Sequence, residues 1–439
     1  MNFEQTNKEL FSFLDHSPNA FFAVANMCDL LKKAGMNRLY EGKPWSLEAG
    51  KGYYVTRNDS ALIAFRIPKA DYIGFQMMAS HCDSPVFKIK ENAEITIENQ
   101  YVKLNVEKYG GAMCAPWLDR PLSAAGRAVV RTKEGIETKL VNVDRDLMII
   151  PNLAIHMNRQ VNDGYKYNLQ VDMLPLFCEK GEETNAFRRL IASEAGVSVE
   201  DVLDADLYLY NRMPATTLGL NNEFIASGRL DDLQCAFSSL KGFIEATPRD
   251  SVAVHGVFDN EEVGSGTKQG AAGTFLGDTL RRINRAMGRT EDEYLMSLAS
   301  SFLVSADNAH AVHPNHTEKA DPTNRPYLNK GIVIKYCARQ KYTTDAVSGA
   351  IIRAICKQAG VPYQTFTNRS DMIGGLTLGN ISQTHVSLNT VDIGLPQLAM
   401  HSPYETAGAR DTAYLVEAAK ILFSSSVVGT GDGNYKLLF

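Results

Sequence analysis

Val257 Phe258 Asp259 Asn260 Glu261 Glu262 Val263 Gly264 Ser265 Gly266 is the stretch around which the chain organises itself. Residues 251–258 make an apolar run of strand length that breaks into two adjacent carboxylates and then glycines, as a strand does on entering a loop. Neighbouring carboxylates repel each other. The pair is tolerable if both are simply solvated, or if one binds a cation while the other stays free to move protons.

Other apolar runs end in the same way. The run 72–80 stops at His81 Cys82 Asp83 Ser84 Pro85, and 301–305 gives way to Ala306 Asp307 Asn308 Ala309 His310. His401 follows a strand expected over 385–393, and Asp231 Asp232 stand at the start of a helix expected to run to about 247. In α/β sheets, sites form in the crevice beyond the carboxyl ends of the strands, where these residues can converge. Two histidines with several carboxylates make a mixed nitrogen and oxygen ligand set that suits zinc, cobalt or manganese. Each piece alone also has an ordinary reading: His81 and His401 as satisfied polar residues, Asp231 Asp232 as a helix cap, and His310, His313 and His316 as a solvated loop.

The remaining chain fits an α/β protein with a change of texture in its middle. Residues 4–14 and 19–34 have helical spacing, with Ser17 Pro18 offering a cap and a first-turn proline to the second helix. Segments 53–56 and 61–67 read as a hairpin. From about 91 the chain shortens into alternating segments at 94–98, 101–106, 126–132, 137–142 and 147–150, which favours antiparallel sheet. A β-rich insertion over 91–224 follows, with helices expected at 184–195 and 198–204. Helices are expected at 278–286, 291–300, 344–359 and 411–423, a strand at 330–336, and a loose tail from 429.

At 439 residues, 44% hydrophobic and 22% charged, the chain can bury a large core in roughly two domains. A net charge of -5 with no Lys/Arg-rich block excludes a nucleic-acid or anionic-membrane footprint. Residues 1–10 are polar, no apolar run reaches membrane-spanning length, and the expected compartment is the cytoplasm. Seven cysteines without a Cys-x-x-Cys pair argue against a disulfide framework and against a thiolate zinc site.

Ser80 His81 Cys82 Asp83 Ser84 Pro85, Arg229 Leu230 Asp231 Asp232, Phe258 Asp259 Asn260 Glu261 Glu262 Val263 Gly264 Ser265, Ser305 Ala306 Asp307 Asn308 Ala309 His310 and Gln397 Leu398 Ala399 Met400 His401 Ser402, in this order, resemble the motifs of the aspartyl aminopeptidase family of dinuclear zinc peptidases. The resemblance implies a mixed-sheet sandwich metallopeptidase domain built from 1–90 and 225–439, with 91–224 as an inserted β-rich dimerisation or lid domain. It implies two divalent ions, zinc first, with cobalt or manganese also suited. Asp231 would bridge them, His81 and Asp307 completing one coordination set and Glu262 and His401 the other. Glu261 would be the general base towards a water shared by the metals, and Asp83 would orient the ring of His81.

The same resemblance assigns Lys335, with His310 nearby, to an acidic substrate side chain, and His156 to a neighbouring subunit's site. It implies large tetrahedral dodecamers that admit small peptides. The family's glycine-rich pocket motif departs from pattern here, reading Asp371 Met372 Ile373 Gly374 Gly375 Leu376 Thr377 Leu378 Gly379 Asn380, which leaves a neutral-residue aminopeptidase open. A dinuclear deacylase or carboxypeptidase would need an exposed arginine near the metals, for which Arg229 and Arg369 are candidates. A non-catalytic scaffold would be expected to lack Glu261.

Overall fold

Four parallel strands, Val252–Phe258, Phe75–His81, Phe302–Ala306 and Asn389–Gly394, lie side by side in the middle of a nine-stranded sheet. The computed structural model describes residues 1–439 except 183, 373 and 376, so Ile373 and Leu376 of the glycine-rich motif lie outside the described residues. Val252–Phe258, Phe75–His81 and Phe302–Ala306 are buried along their whole length. Their near-continuous apolar runs follow from helices covering both faces of the sheet.

Along Val252–Phe258, Ala253 and Val257 join one core with helices Phe3–Asp15, Ala20–Lys33, Leu230–Glu245, Ala346–Ala359 and Asp411–Ser424. Val254 and Phe258 join the other, with helices Phe275–Ala286 and Glu291–Ala299. This is a three-layer sandwich. Register brings the strand ends level, Phe258 opposite His81 and Ala306 opposite Ile393, so residues just beyond them share one edge. The hairpin Gly52–Arg57 and Ala61–Arg66 extends the sheet on one side, and Ile332–Lys335 with Tyr363–Phe366 on the other.

A six-stranded antiparallel sheet branches from that edge. Its first strand, Val86–Ile97, starts directly after Pro85, and its spatial order is Gly135–Asn142, Leu122–Thr132, Val202–Asn211, Val86–Ile97, Tyr101–Tyr109, Leu176–Glu179. Phe87, Trp117, Leu122, Val130, Ile150 and Leu209 lie in a core of its own. A five-stranded sheet, in the order Thr216–Leu218, Phe224–Ser227, Glu405–Gly408, Pro396–Leu398, Ala309–His310, carries the chain back past the strand ends. No helix among the described residues is long and apolar enough to cross a membrane.

Four local expectations are corrected. The second helix is capped by Asn19, whose side chain accepts from the N–H groups of Phe21 and Phe22, so Pro18 precedes the cap. Residues 198–204 are not a helix: a single 3-10 turn, Val199–Asp201, leads into the strand Val202–Asn211, which pairs along its length with Leu122–Thr132. The strand expected from 385 starts at Asn389. The tail is ordered, with Ser426–Gly431 pairing antiparallel to Asn434–Leu438 through a turn at Asp432 Gly433, where Gly433 takes φ 75°.

Candidate active site

His81 is the last residue of its strand, buried, and its neighbours determine which ring nitrogen is free. Nδ1 lies 3.1 Å from the Asp83 carbonyl oxygen and 3.4 Å from Asp83 Oδ1, leaving Nε2 to point at Asp231 Oδ1, 3.6 Å away. The other oxygen of Asp231 faces His401 Nε2 at 3.4 Å, and His401 Nε2 is 3.5 Å from Glu262 Oε2. A single carboxylate thus stands between two imidazoles. Among the described residues, three groupings hold one potential ligand atom per residue within 4.8 Å of one another: His81, Asp231 and Asp307; Asp231, Glu262 and His401; and His81, Glu261 and Glu262.

Backbone anchors keep these side chains in place. Asp83 accepts from the N–H of Glu261 through Oδ1 and from that of Glu262 through Oδ2, each at 3.1 Å. The Asp83 carboxylate therefore holds the Glu261–Val263 turn, while its carbonyl makes the closer contact with His81. Asp232 Oδ2 accepts from His81 N–H at 3.1 Å. Glu405 spans two of these residues, Oε2 accepting from Asp231 N–H at 3.0 Å and Oε1 from His401 N–H at 2.7 Å. From sequence, Asp232 carries only the reading of a helix cap beside Asp231, and Glu405 carries none. Their partners are backbone amides brought close only by the fold, so nothing in local spacing marks them.

Electrostatics favour a bound cation. Burial, only partly offset by His81, pushes the Glu261 carboxyl up to about 8, with Asp307 and Asp83 adding repulsion. Burial and the neighbouring Asp231 also raise Glu262. Asp307 rises through burial, with Lys335 pulling it back. Asp231 goes the other way, because His401 and His81 outweigh its burial. Asp231 Oδ1 and Glu262 Oε1 are buried without a hydrogen-bond partner among the described residues. Unpaired buried carboxylate oxygens are costly, and a divalent cation relieves both the loss of solvation and the crowding of charge. The residues present fit zinc, which takes imidazole nitrogen and carboxylate oxygen.

The other predicted site residues fall into two places. Lys335 ends the strand Ile332–Lys335 with its side chain buried; Nζ donates to the Asn308 carbonyl at 2.8 Å and lies 3.7 Å from Asp307 Oδ1. His310 is exposed on the short strand Ala309–His310, its ring 6.3 Å from that of Phe366. His156 belongs to none of the three groupings and is exposed in a segment where Leu153, Ile155 and Met157 are exposed as well.

A family model described as "Aminopeptidase I zinc metalloprotease (M18)" matches residues 13–423. A protein of Clostridium acetobutylicum described as "Probable M18 family aminopeptidase 2" is 47% identical over 415 residues, 93% of this chain and 96% of that protein. The matched chain of "Cryo-EM structure of the Ape4 and Nbr1 complex" has a TM-score of 0.92 at 33% identity, over 96% of this chain and 86% of that one. The matched chain of "Structure of S. cerevesiae mApe1 dodecamer" has a TM-score of 0.84 at 26% identity, over 96% and 97%. With the family model running from residue 13 to 423 and this identity to a relative over almost its whole length, the chain belongs to the M18 family of metal-dependent aminopeptidases.

Proposed function

We propose that the chain releases an N-terminal Asp or Glu from short peptides, with two divalent ions, zinc first, and Glu261 as the general base. The observation that carries this reading is Glu261 itself: its backbone is tied to Asp83, and its carboxyl stands beside His81 and Glu262. Bound ions would supply Lewis acidity, lowering the pKa of water towards neutrality and polarising the scissile carbonyl. His81 and Asp307 would hold one ion and Glu262 and His401 the other, with Asp231 shared between the two groupings. Glu261 takes the proton of the attacking water and returns it to the leaving amine. Glu262 falls in two of the groupings and Glu261 in one, so Glu262 is the better placed as a ligand and its neighbour is left to carry the proton. The surplus of carboxylates attracts the ammonium group of a peptide's first residue, confining cleavage to that end.

Acidic selection rests on Lys335. Once Asp307 is engaged by a cation, the buried ammonium beside it, one hydrogen donated to the Asn308 carbonyl, has others to offer a substrate carboxylate, and a charge-assisted contact of this kind is the strong class of hydrogen bond. In the Lys335→Met variant, the preference for Asp- over Leu-terminated chromogenic amides should fall roughly 10- to 100-fold, the scale of a hydrogen bond to a charged group. An unchanged ratio removes Lys335 as the selector. Release from Asp and Glu substrates should stop on chelation and return with zinc, manganese or cobalt. Release from Leu in the wild type would instead favour the neutral-residue reading.

The arginines a deacylase would use are engaged elsewhere: Arg369 pairs with Asp371 and Arg229 donates to the Leu14 carbonyl. The separate core of the six-stranded sheet supports 91–224 as a dimerisation or lid domain, its structural edges nearer Val86 and Asn211. The free state of all seven cysteines supports a cytoplasmic setting. Exposed Leu153, Ile155 and Met157 around His156 support assembly of identical chains, with His156 serving a neighbour's site. Sedimentation should give a mass of many chains, up to a dodecamer, and a species that stays monomeric at all concentrations overturns the cross-subunit role.

A further inference from the structure

We infer that Tyr109 Gly110 Gly111, where the strand Tyr101–Tyr109 leaves the six-stranded sheet, is a positioning segment for the active site, Tyr109 acting on Glu261 through Asp83. The Tyr109 hydroxyl donates to Asp83 Oδ2 at 2.7 Å and accepts from Asn260 Nδ2 at 2.9 Å. Asp83 is the carboxylate that holds the N–H groups of Glu261 and Glu262. Asn260 immediately precedes Glu261 at φ 60°, its Oδ1 accepting from Thr267 and Gln269, each at 2.8 Å. Tyr109 therefore ties both supports of the Glu261–Val263 turn, and among the described residues it is the member of this network that comes from the six-stranded sheet. Its ring is backed by Tyr208 of the same sheet, centroids 5.9 Å apart.

The two glycines continue the contact on the metal side. At Gly110, with φ +69°, an added Cβ would stand 3.0 Å from Glu262 Cβ; at Gly111 it would stand 2.9 Å from His401 Nδ1. Met113 N–H then donates to the His401 carbonyl at 3.1 Å. A methyl at Gly111 would force the His401 ring to shift, and one at Gly110 would crowd Glu262 at a φ that disfavours side chains, so the glycines set how near the sheet stands to both residues.

The inference rests on Glu261 being the base, and the test separates the two ideas. Wild type, Tyr109→Phe, Glu261→Gln and the double variant are compared as full-length, metal-loaded proteins for kcat, KM, bound metal and unfolding midpoint. Tyr109→Phe keeps the ring and removes the hydroxyl. Its kcat is expected to fall about 10- to 100-fold, the usual effect of losing an outer hydrogen-bond partner, with metal content, midpoint and KM held. In the Glu261→Gln background the same change should do nothing further, because a residue that acts through Glu261 has no target left. A wild-type kcat for Tyr109→Phe, or an equal slowing in both backgrounds, overturns the positioning role. Wild-type turnover in Glu261→Gln overturns the base instead, whatever Tyr109 does. Gly111→Ala should lower bound metal by displacing His401, and full metal retention there removes the glycines from the proposal.

Discussion

In the Glu261→Gln variant, hydrolysis of an Asp-terminated amide slows by about 10²- to 10⁴-fold in kcat, the range general acid–base groups supply. Glutamine keeps the shape of the side chain and the backbone N–H that Asp83 accepts from, so the turn that carries it should persist. The change removes the carboxyl that would take the proton of the attacking water and puts an amide that cannot do so in its place. Bound metal measured by elemental analysis should stay at the wild-type ratio, since both groupings containing Asp231 remain whole. A loss of metal in step with activity would move Glu261 from base to ligand. Turnover at the wild-type rate would end the proposed mechanism.

Asp231→Ala is expected to abolish activity by a different route. Its two oxygens face His81 and His401 separately, so a single truncation opens both groupings. Elemental analysis should find metal near zero, whereas Asp307→Ala or His401→Ala, each opening one grouping, should retain part of it. Thermal unfolding reports the same loss independently. A ligand that binds only the folded state adds about 2.7 kcal/mol at a hundredfold excess over Kd, so adding zinc should raise the Tm of chelated wild type and leave that of Asp231→Ala where it was. Retention of a full metal complement by Asp231→Ala would show that this carboxylate is not shared between two ions.

Much of this arrangement was legible in the chain because both faces of the central sheet are covered. Strands buried on two sides read as unbroken apolar runs, so the points where they stop, Ser80 before His81, Phe258 before Glu261 and Ser305 before Asp307, stand out against the rest. Tertiary support was not legible. Glu405 looks like any loop glutamate until the backbones of Asp231 and His401 are both within its reach. Tyr109 ends an alternating strand and carries no local mark of its contact with Asp83. The strand Val202–Asn211 was misread at its start because the acidic turn Val199–Asp201 imitates the opening of a helix. Within the tail, Asp432 Gly433 is a hairpin signal that the glycines around it obscured.

The level ends of the parallel strands also bear on when this protein becomes an enzyme. Phe75–His81 takes its neighbours from Val252–Phe258 and Phe302–Ala306, made far later in synthesis, and His401 emerges later still. Contacts so distant along the chain close slowly, and a growing polypeptide reaches them only when nearly complete. His81 therefore waits through most of translation without the carboxylates it is grouped with in the fold. With the proposed centre drawing on residues from His81 to His401, it should not form on the ribosome ahead of the fold that encloses it, and a nascent fragment is expected to carry no activity against the unfolded chains around it.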